Sequence, residues 1–250
     1  MKITDKAKSY HKKMFPKKEF SFAQTDPEFF ERFLNFAYDD ALDQNELDDK
    51  TRFTAILATL IGCQGIDHYR IMVPAAMNFG VTPVEVKEIV YQAVAYLGMG
   101  RVYPFLIATN EVFTELGIPL PLEKQATTTK ANRLEKGEEV QIQAFGEGMR
   151  GFAFSGNEDV QHINRWLVEN CFGDYYTRNG LDLKMREIIT FCFLSAQSGC
   201  EPQLISHAKT NMRIGNSKTL LIKIVSSCLP YIGYPRTLNV LHSIEEACRK

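Results

Sequence analysis

The feature that most constrains this 250-residue chain is an internal repeat whose two copies lie 133 to 135 residues apart. Four landmarks share the offset: Gly80 with Gly215, 96–101 (Tyr-Leu-Gly-x-x-Arg) with 231–236, 47–52 (Leu-Asp-x-Lys-x-Arg) with 181–186, and 33–34 with 166–167. Chance similarities would not keep one spacing over so many positions. The chain therefore contains two copies of one structural unit.

Each unit has the pattern of packed helices. Between Phe53 and Ile61 apolar residues recur at intervals of three and four, which places them on one face of a helix. Thr82 and Glu85 form a capping box with Pro83 at the first helical position, a typical helix start. No segment alternates polar and apolar residues over a convincing strand length. We therefore predict an all-α fold built from two tandem helical repeats.

The repeats also predict the domain boundaries. We expect four segments: a tail at 1–20, a first repeat at 21–117, a connector at 118–157 and a second repeat at 158–250. The tail carries seven lysines, so we predict a solvated arm. Within the connector, 131–150 is expected to be irregular or partly helical. Residues 146–151 spell G-x-G-x-x-G, but no amphipathic helix follows, so we reject a dinucleotide site.

Composition excludes several classes of function. The chain is 45% hydrophobic and 24% charged with a net charge of −1, so no overall field attracts nucleic acid or anionic lipid. Its six cysteines form no C-x-x-C pair and no zinc-finger spacing with histidine, so we expect no metal. Neither a signal peptide nor a membrane-spanning run is evident. We therefore expect a cytoplasmic protein without nucleic-acid or membrane partners.

Residues capable of chemistry cluster in the second repeat, around 199–207. Pro202 favours the first turn of a helix, so Cys200 is expected just outside its N-terminus, where free amides favour a thiolate. His207 follows two turns later on the same face, and Glu187 lies early in the preceding helix. This spacing predicts a thiol, an imidazole and a carboxylate facing one crevice. Buried structural roles for the cysteine and the histidine remain an alternative.

These residues resemble the carboxymuconolactone decarboxylase family, which also includes alkylhydroperoxidase D. The family pattern is matched by L-D-x-K-x-R-E at 181–187, L-x-x-H at 204–207, Gly215 and Y-x-G at 231–233. The resemblance implies all-α units that pack as hexamers, so a tandem chain would assemble as a homotrimer. It also implies a reaction that needs no cofactor. The chain departs from alkylhydroperoxidase D at Gln203, which replaces the second thiol of C-x-x-C.

The resemblance supports three alternative functions. In the first, the protein decarboxylates a small carboxylated lactone or related acid, with His207 as general acid and Glu187 orienting it. Arg186 or Arg236 would bind the substrate carboxylate, unless these arginines form structural ion pairs. In the second, Cys200 is the thiolate of a peroxidase, and Cys192 is a candidate resolving thiol. In the third, the protein is a non-catalytic oligomeric scaffold.

The two repeats are not expected to be equivalent. In the first repeat, Phe53 follows the arginine where the second has Glu187, and Met72 takes the position of His207. Neither replacement exchanges protons near neutral pH. His68 lies about one helical turn before Met72 and is a candidate substitute or substrate-binding residue. We therefore predict that the second repeat carries the chemistry.

Overall fold

The computed structural model describes residues 2–16, 22–43 and 46–249. Within these ranges every regular element is helical, which confirms the all-α prediction. The main helices are α1 Asp5–Met14, α2 Pro27–Asn35, α3 Asp49–Gly62, α4 Ile66–Asn78, α5 Pro83–Leu97, α6 Met99–Glu115, α7 Arg133–Phe145, α8 Glu158–Trp166, α9 Leu183–Gln197, α10 Glu201–Arg213 and α11 Lys218–Cys248. None of the helices in the described residues has the length and apolar character needed to cross a membrane.

Two helices continue into π-helical segments. A π-helix at Phe36–Asp40 and a short turn at Ala41–Asp43 extend α2, and a π-helix at Leu167–Tyr176 extends α8. A helical turn at Phe22–Thr25 precedes α2. Long π-helices are rare, but those that occur are often found at functional sites. The π-helix Leu167–Tyr176 is therefore a candidate part of such a site.

Side chains cap the starts of several helices. The side chain of Asp48 accepts a backbone N–H of α3, and that of Asp182 accepts one of α9. Both bonds of the predicted capping box between Thr82 and Glu85 begin α5. Each cap satisfies an N–H that the first helical turn leaves without a partner.

The backbone repeats as the sequence does. Gly98 separates α5 from α6 at φ 77°, and Gly233 interrupts α11 at φ 76°. Gly80 and Gly215 end the helices before them at φ 89° and 96°. Residues with a side chain avoid this left-handed region, which explains why glycine occupies the same place in both copies. The two halves of α11 thus correspond to α5 and α6.

The centre of the molecule is the crossing of α3 with α9, which are equivalent helices of the two repeats. All residues of 52–62 and of 186–196 are buried, so each helix is enclosed on every side. A Cβ atom on Gly62 would lie 2.7 Å from the Ala196 Cβ, so the backbones approach closely at this point. Close packing of this kind fixes the relative position of the two halves.

The structure corrects the prediction of a solvated N-terminal arm. Residues 5–14 form α1, in which Ala7 and Met14 are completely buried in the core. The amide of Thr4 also donates to the Asn35 side chain at 2.9 Å. The exposed face of this helix carries Lys6, Lys8, Lys12 and Lys13. Residues 1 and 17–20 of the predicted tail lie outside the described residues.

The connector is more ordered than predicted, because α7 is a regular helix of 13 residues. It packs directly on the π-helix that follows α8. A Cβ atom on Gly137 would lie only 2.2 Å from the Val168 carbonyl oxygen, so glycine is required for this approach. Short 3-10 turns follow α7 at Glu147–Met149 and Phe152–Phe154, and no strand precedes the G-x-G-x-x-G segment. The segment therefore lacks the strand–turn–helix context that a dinucleotide fingerprint requires.

Candidate active site

The antiparallel helices α9 and α10 bring an imidazole and a carboxylate into direct contact. His207 Nδ1 lies 2.8 Å from Glu187 Oε2. Glu187 is completely buried and His207 is 8% exposed. Because a carboxylate only accepts hydrogen bonds, Nδ1 carries the proton, and Nε2 is left to exchange a proton with another molecule.

Two tyrosines form a hydrogen-bond chain on the other side of the carboxylate, and Tyr176 bonds to it directly. The Tyr176 hydroxyl donates to Glu187 Oε1 at 2.8 Å and lies 2.8 Å from both the Tyr96 hydroxyl and the Thr190 Oγ1. Burial raises the pKa of both tyrosines well above the usual value, and the negative charge of Glu187 raises it further. The tyrosines therefore stay neutral and act as donors, so both oxygens of Glu187 are fixed.

Sequence reasoning missed both tyrosines. Tyr96 is at the end of α5 in the first repeat and thus crosses to the site of the second. It belongs to the repeated segment 96–101, so a signal existed, but it was interpreted as a structural landmark. Tyr176 is the last residue of the π-helix Leu167–Tyr176, and no motif marks it. The site consequently depends on both repeats and on an unusual helix end.

Aromatic rings cover the imidazole. The rings of Phe145 and Tyr96 meet that of His207 edge-on, with centroids 5.2 and 5.6 Å away. Phe145 is the last residue of α7, so the connector covers the site. Neither of the two large cavities in the described residues is lined by His207. The imidazole is therefore largely buried beside two aromatic rings.

Cys200 occupies its predicted position but has a different environment. It is the N-cap residue of α10, with Pro202 in the first turn. Burial raises the pKa of its thiol, which corrects the prediction of a stabilised thiolate. Its Sγ donates to the Leu194 carbonyl at 3.4 Å, whereas His207 bonds to Glu187. Seven helical residues span about 10 Å, which separates the thiol from the imidazole.

The candidate resolving thiol is equally removed from solvent. Cys192 is 1% exposed and forms a hydrogen bond with the free thiol of Cys228. Burial raises the pKa of Cys192 well above its usual value. The structure therefore does not bring Cys192 and Cys200 together as a reactive pair.

The two predicted arginines lie in different surroundings. Arg186 is completely buried, where its guanidinium donates to Glu88, to Gln92 and to the carbonyl oxygens of residues 178 and 179. These bonds favour a structural role over substrate binding. Arg236 lies close enough to Cys63 and Cys200 to lower the pKa of each thiol against the larger effect of burial. Its Nη1 is buried without a hydrogen-bond partner among the described residues.

The first repeat has an aromatic cavity in place of the carboxylate and imidazole. Phe53 and Met72, the counterparts of Glu187 and His207, are 1% and 0% exposed within the core. His68 meets Tyr231 edge-on at 5.3 Å, as His207 meets Tyr96. A cavity of about 330 Å³ adjoins His68, and burial lowers the pKa of its imidazole. The halves are thus similar in packing and different in chemistry.

Comparisons with known proteins agree with this architecture. The sequence model described as "Carboxymuconolactone decarboxylase family" matches residues 27–111 and 161–246, one region in each repeat. The 4-carboxymuconolactone decarboxylase of Acinetobacter baylyi is 30% identical over 115 residues, which cover 46% of this chain and 85% of that protein. A Burkholderia xenovorans crystal structure, itself only provisionally assigned as a gamma-carboxymuconolactone decarboxylase subunit, superposes with a TM-score of 0.56 at 20% identity. That likeness covers 96% of this chain and 95% of the other, and it shows the fold alone.

Proposed function

Because the chain belongs to the carboxymuconolactone decarboxylase family, we propose that it decarboxylates a small carboxylated lactone or a related acid without a cofactor. The supporting observation is the buried bond between His207 and Glu187. The name of the Acinetobacter relative supports the reaction class. The proposal assigns the chemistry to the second repeat.

The pair suits the proton transfer that this reaction requires. Loss of carbon dioxide breaks a carbon–carbon bond and leaves its electron pair delocalised towards the lactone carbonyl. His207 in its protonated form donates the Nε2 proton to the resulting carbanion. Glu187 stabilises the positive imidazole before the transfer, and Tyr176 holds Glu187 in place. The imidazole ends neutral, with its Nδ1 proton still bonded to Glu187.

The aromatic rings beside His207 support the same proton transfer. The rings of Phe145 and Tyr96 replace water beside the imidazole. Charge interactions are stronger where water is excluded, so Glu187 acts more effectively on His207. Of the two predicted arginines, Arg236 keeps a buried donor without a partner among the described residues and remains the proposed carboxylate ligand.

Thiol chemistry has less support. The pKa of Cys200 is raised by burial, so little thiolate is present at neutral pH. Gln203 occupies the position where a two-thiol motif needs its second cysteine. We therefore favour proton transfer by His207 over peroxide reduction by Cys200.

The proposal is tested by measuring carbon dioxide release from 4-carboxymuconolactone and related carboxylated lactones. His207→Ala should lower turnover about 100-fold or more, the usual contribution of a general acid. His242→Ala removes a histidine whose side chain is 71% exposed and should have no effect. His68→Ala should alter stability more than turnover. Absence of turnover on every carboxylated lactone would favour the scaffold alternative, and a larger loss from His68→Ala would place the site in the first repeat.

A further inference from the structure

A large cavity lies away from His207. It is half-open, has a volume of about 640 Å³ and is formed by α5, α6 and the connector segment 120–126, with Arg178 at one wall. This volume is within the range of small-molecule sites. Its polar wall carries Lys87, Glu88, Asn110 and Arg178. None of these residues contacts the His207–Glu187 pair directly, so the cavity has no role in the proposed reaction.

Lys87 is an unusual lysine. The residue is 6% exposed, although lysines are rarely buried without a charged partner. Its ammonium donates to the Asn110 side chain and lies 5.9 Å from the centre of the Tyr91 ring. No carboxylate within the described part of the chain lies within ion-pair distance of it. Burial lowers the pKa of its ammonium group.

The arginine on the same wall adds to this positive charge. Arg178 donates three hydrogen bonds to Glu88, and Arg186 donates a fourth to the same carboxylate. Two guanidinium groups therefore share a single negative charge. The Nη1 of Arg178 bonds to no described group, and its guanidinium carbon lies 5.2 Å from the centre of the Tyr91 ring. With Lys87 in the wall and Arg186 buried behind it, this group has an excess of two positive charges.

The remaining lining indicates what kind of anion fits. The cavity is also lined by apolar residues: Val84, Leu106, Leu120, Pro121 and Leu122. The exposed neighbours Glu123 and Lys124 carry opposite charges and leave the excess unchanged. A bare inorganic anion would leave this apolar surface uncovered. An organic anion would cover it while neutralising the polar wall.

We propose that this cavity binds an organic carboxylate with an apolar body, whose carboxylate group bonds to Lys87 and Arg178. Both cations line the same cavity, and each lies within 6 Å of the Tyr91 ring centre. Glu88 holds Arg178 through Nε and Nη2, so Nη1 is left for the ligand. The site is independent of the proposed decarboxylation.

Titration calorimetry on the full chain tests the site with octanoate and benzoate as probes. Each carboxylate should bind at least 10-fold more tightly than its neutral amide, octanamide or benzamide. It should also bind more tightly than inorganic phosphate, which lacks an apolar body. Lys87→Met should weaken carboxylate binding at least 10-fold, and Lys87→Arg should restore most of it. Lys209→Met removes an exposed lysine of α10 and should leave binding unchanged.

A second measurement needs no variant. Bound octanoate should protect Lys87 of the wild-type protein from acetylation by acetic anhydride, read by mass spectrometry, and should not protect Lys209. Equal binding of carboxylate and amide, unchanged binding in a folded Lys87→Met variant, or unprotected Lys87 at saturating octanoate would overturn the proposal. Phosphate binding as tight as that of the carboxylates would overturn the assignment to an organic acid. Neither measurement depends on turnover, so failure here is distinguishable from failure of the proposed function.

Discussion

Glu187 is the residue on which the proposed chemistry of His207 depends. Glu187→Gln keeps the shape of the side chain but removes the negative charge beside the imidazole Nδ1. We expect turnover to fall about 100-fold or more, because the protonated imidazole loses its stabilising partner. Steady-state kinetics with circular dichroism as a check on folding would measure this. Turnover within twofold of wild type in a folded variant would remove Glu187 from the mechanism.

The raised pKa of Cys200 predicts that its thiol reacts slowly with alkylating reagents at neutral pH. A raised pKa means less thiolate at pH 7, with reactivity rising only as the pH exceeds the usual thiol range. Cys248 is exposed, so we expect iodoacetamide to modify it first. Mass spectrometry of the alkylated peptides at pH 7 and pH 9.5 would show the order. Faster labelling of Cys200 than of Cys248 at pH 7 would revive the thiol mechanism.

At the scale of single residues, the sequence predicted which side chains form the site better than it predicted their bonding partners. The spacing of Glu187 and His207 on two antiparallel helices predicted their meeting, which the structure places at 2.8 Å. It offered a structural ion pair for Arg186 as an alternative but did not identify the partner, because Glu88 lies 98 residues away in the other repeat. For Cys200 the helix end was predicted, but burial has the larger effect on the thiol. Partners distant in sequence and degrees of burial arise only from packing.

Among the elements, α5 and α9 are joined by a buried ion pair. Glu88, on α5, is 1% exposed and accepts from Arg186 of α9 and from Arg178. Glu88→Gln would leave two guanidinium groups without a counter-charge. Breaking a buried pair in this way costs about 3–5 kcal/mol. We expect a loss of that size in the free energy of unfolding, measured by urea denaturation.

The matched control makes the same substitution at an exposed pair. Glu139 and Lys136 are adjacent on α7, with side chains 56% and 46% exposed. Exposed pairs contribute about 0–1 kcal/mol, so Glu139→Gln should change stability little. A loss below about 1 kcal/mol for Glu88→Gln would mean that its two arginines are adequately solvated without it.

Helices with clear caps were predictable, and those without them were not. The capping box of Thr82 and Glu85 marks the start of α5 in the sequence, and the structure begins the helix there. The helix α1 was missed because only Ala7 and Met14 of its ten residues are buried. The π-helix Leu167–Tyr176 leaves no periodic signal, although it carries Tyr176 to the site. Local signals thus define helix ends, whereas tertiary packing defines these other elements.

For the whole molecule, the open question is how the exposed apolar surface is covered. The apolar run 220–225 does not contribute to this surface, because Leu221, Ile224 and Val225 are buried within the chain. An exposed stripe runs along α8 and the start of its π-helix. Its exposed members are Val160 (45%), Ile163 (54%), Trp166 (57%) and Leu167 (41%). A contiguous apolar stripe of this kind is typical of a subunit interface.

We expect an interface between subunits to cover this stripe, and we predict that the chain assembles as a homotrimer. Each 28.5 kDa chain contains two units. Three copies would therefore form the six-unit arrangement that the family resemblance implies. Trp166→Glu places a charge in the stripe and should dissociate the trimer at micromolar concentration, measured by sedimentation velocity. Lys209→Glu places the same side chain on an exposed face of α10 and should leave assembly unchanged. A monomeric wild-type protein would contradict the trimer. An intact trimer in the Trp166→Glu variant would assign the interface to another surface, because a charge buried there without a partner is strongly unfavourable.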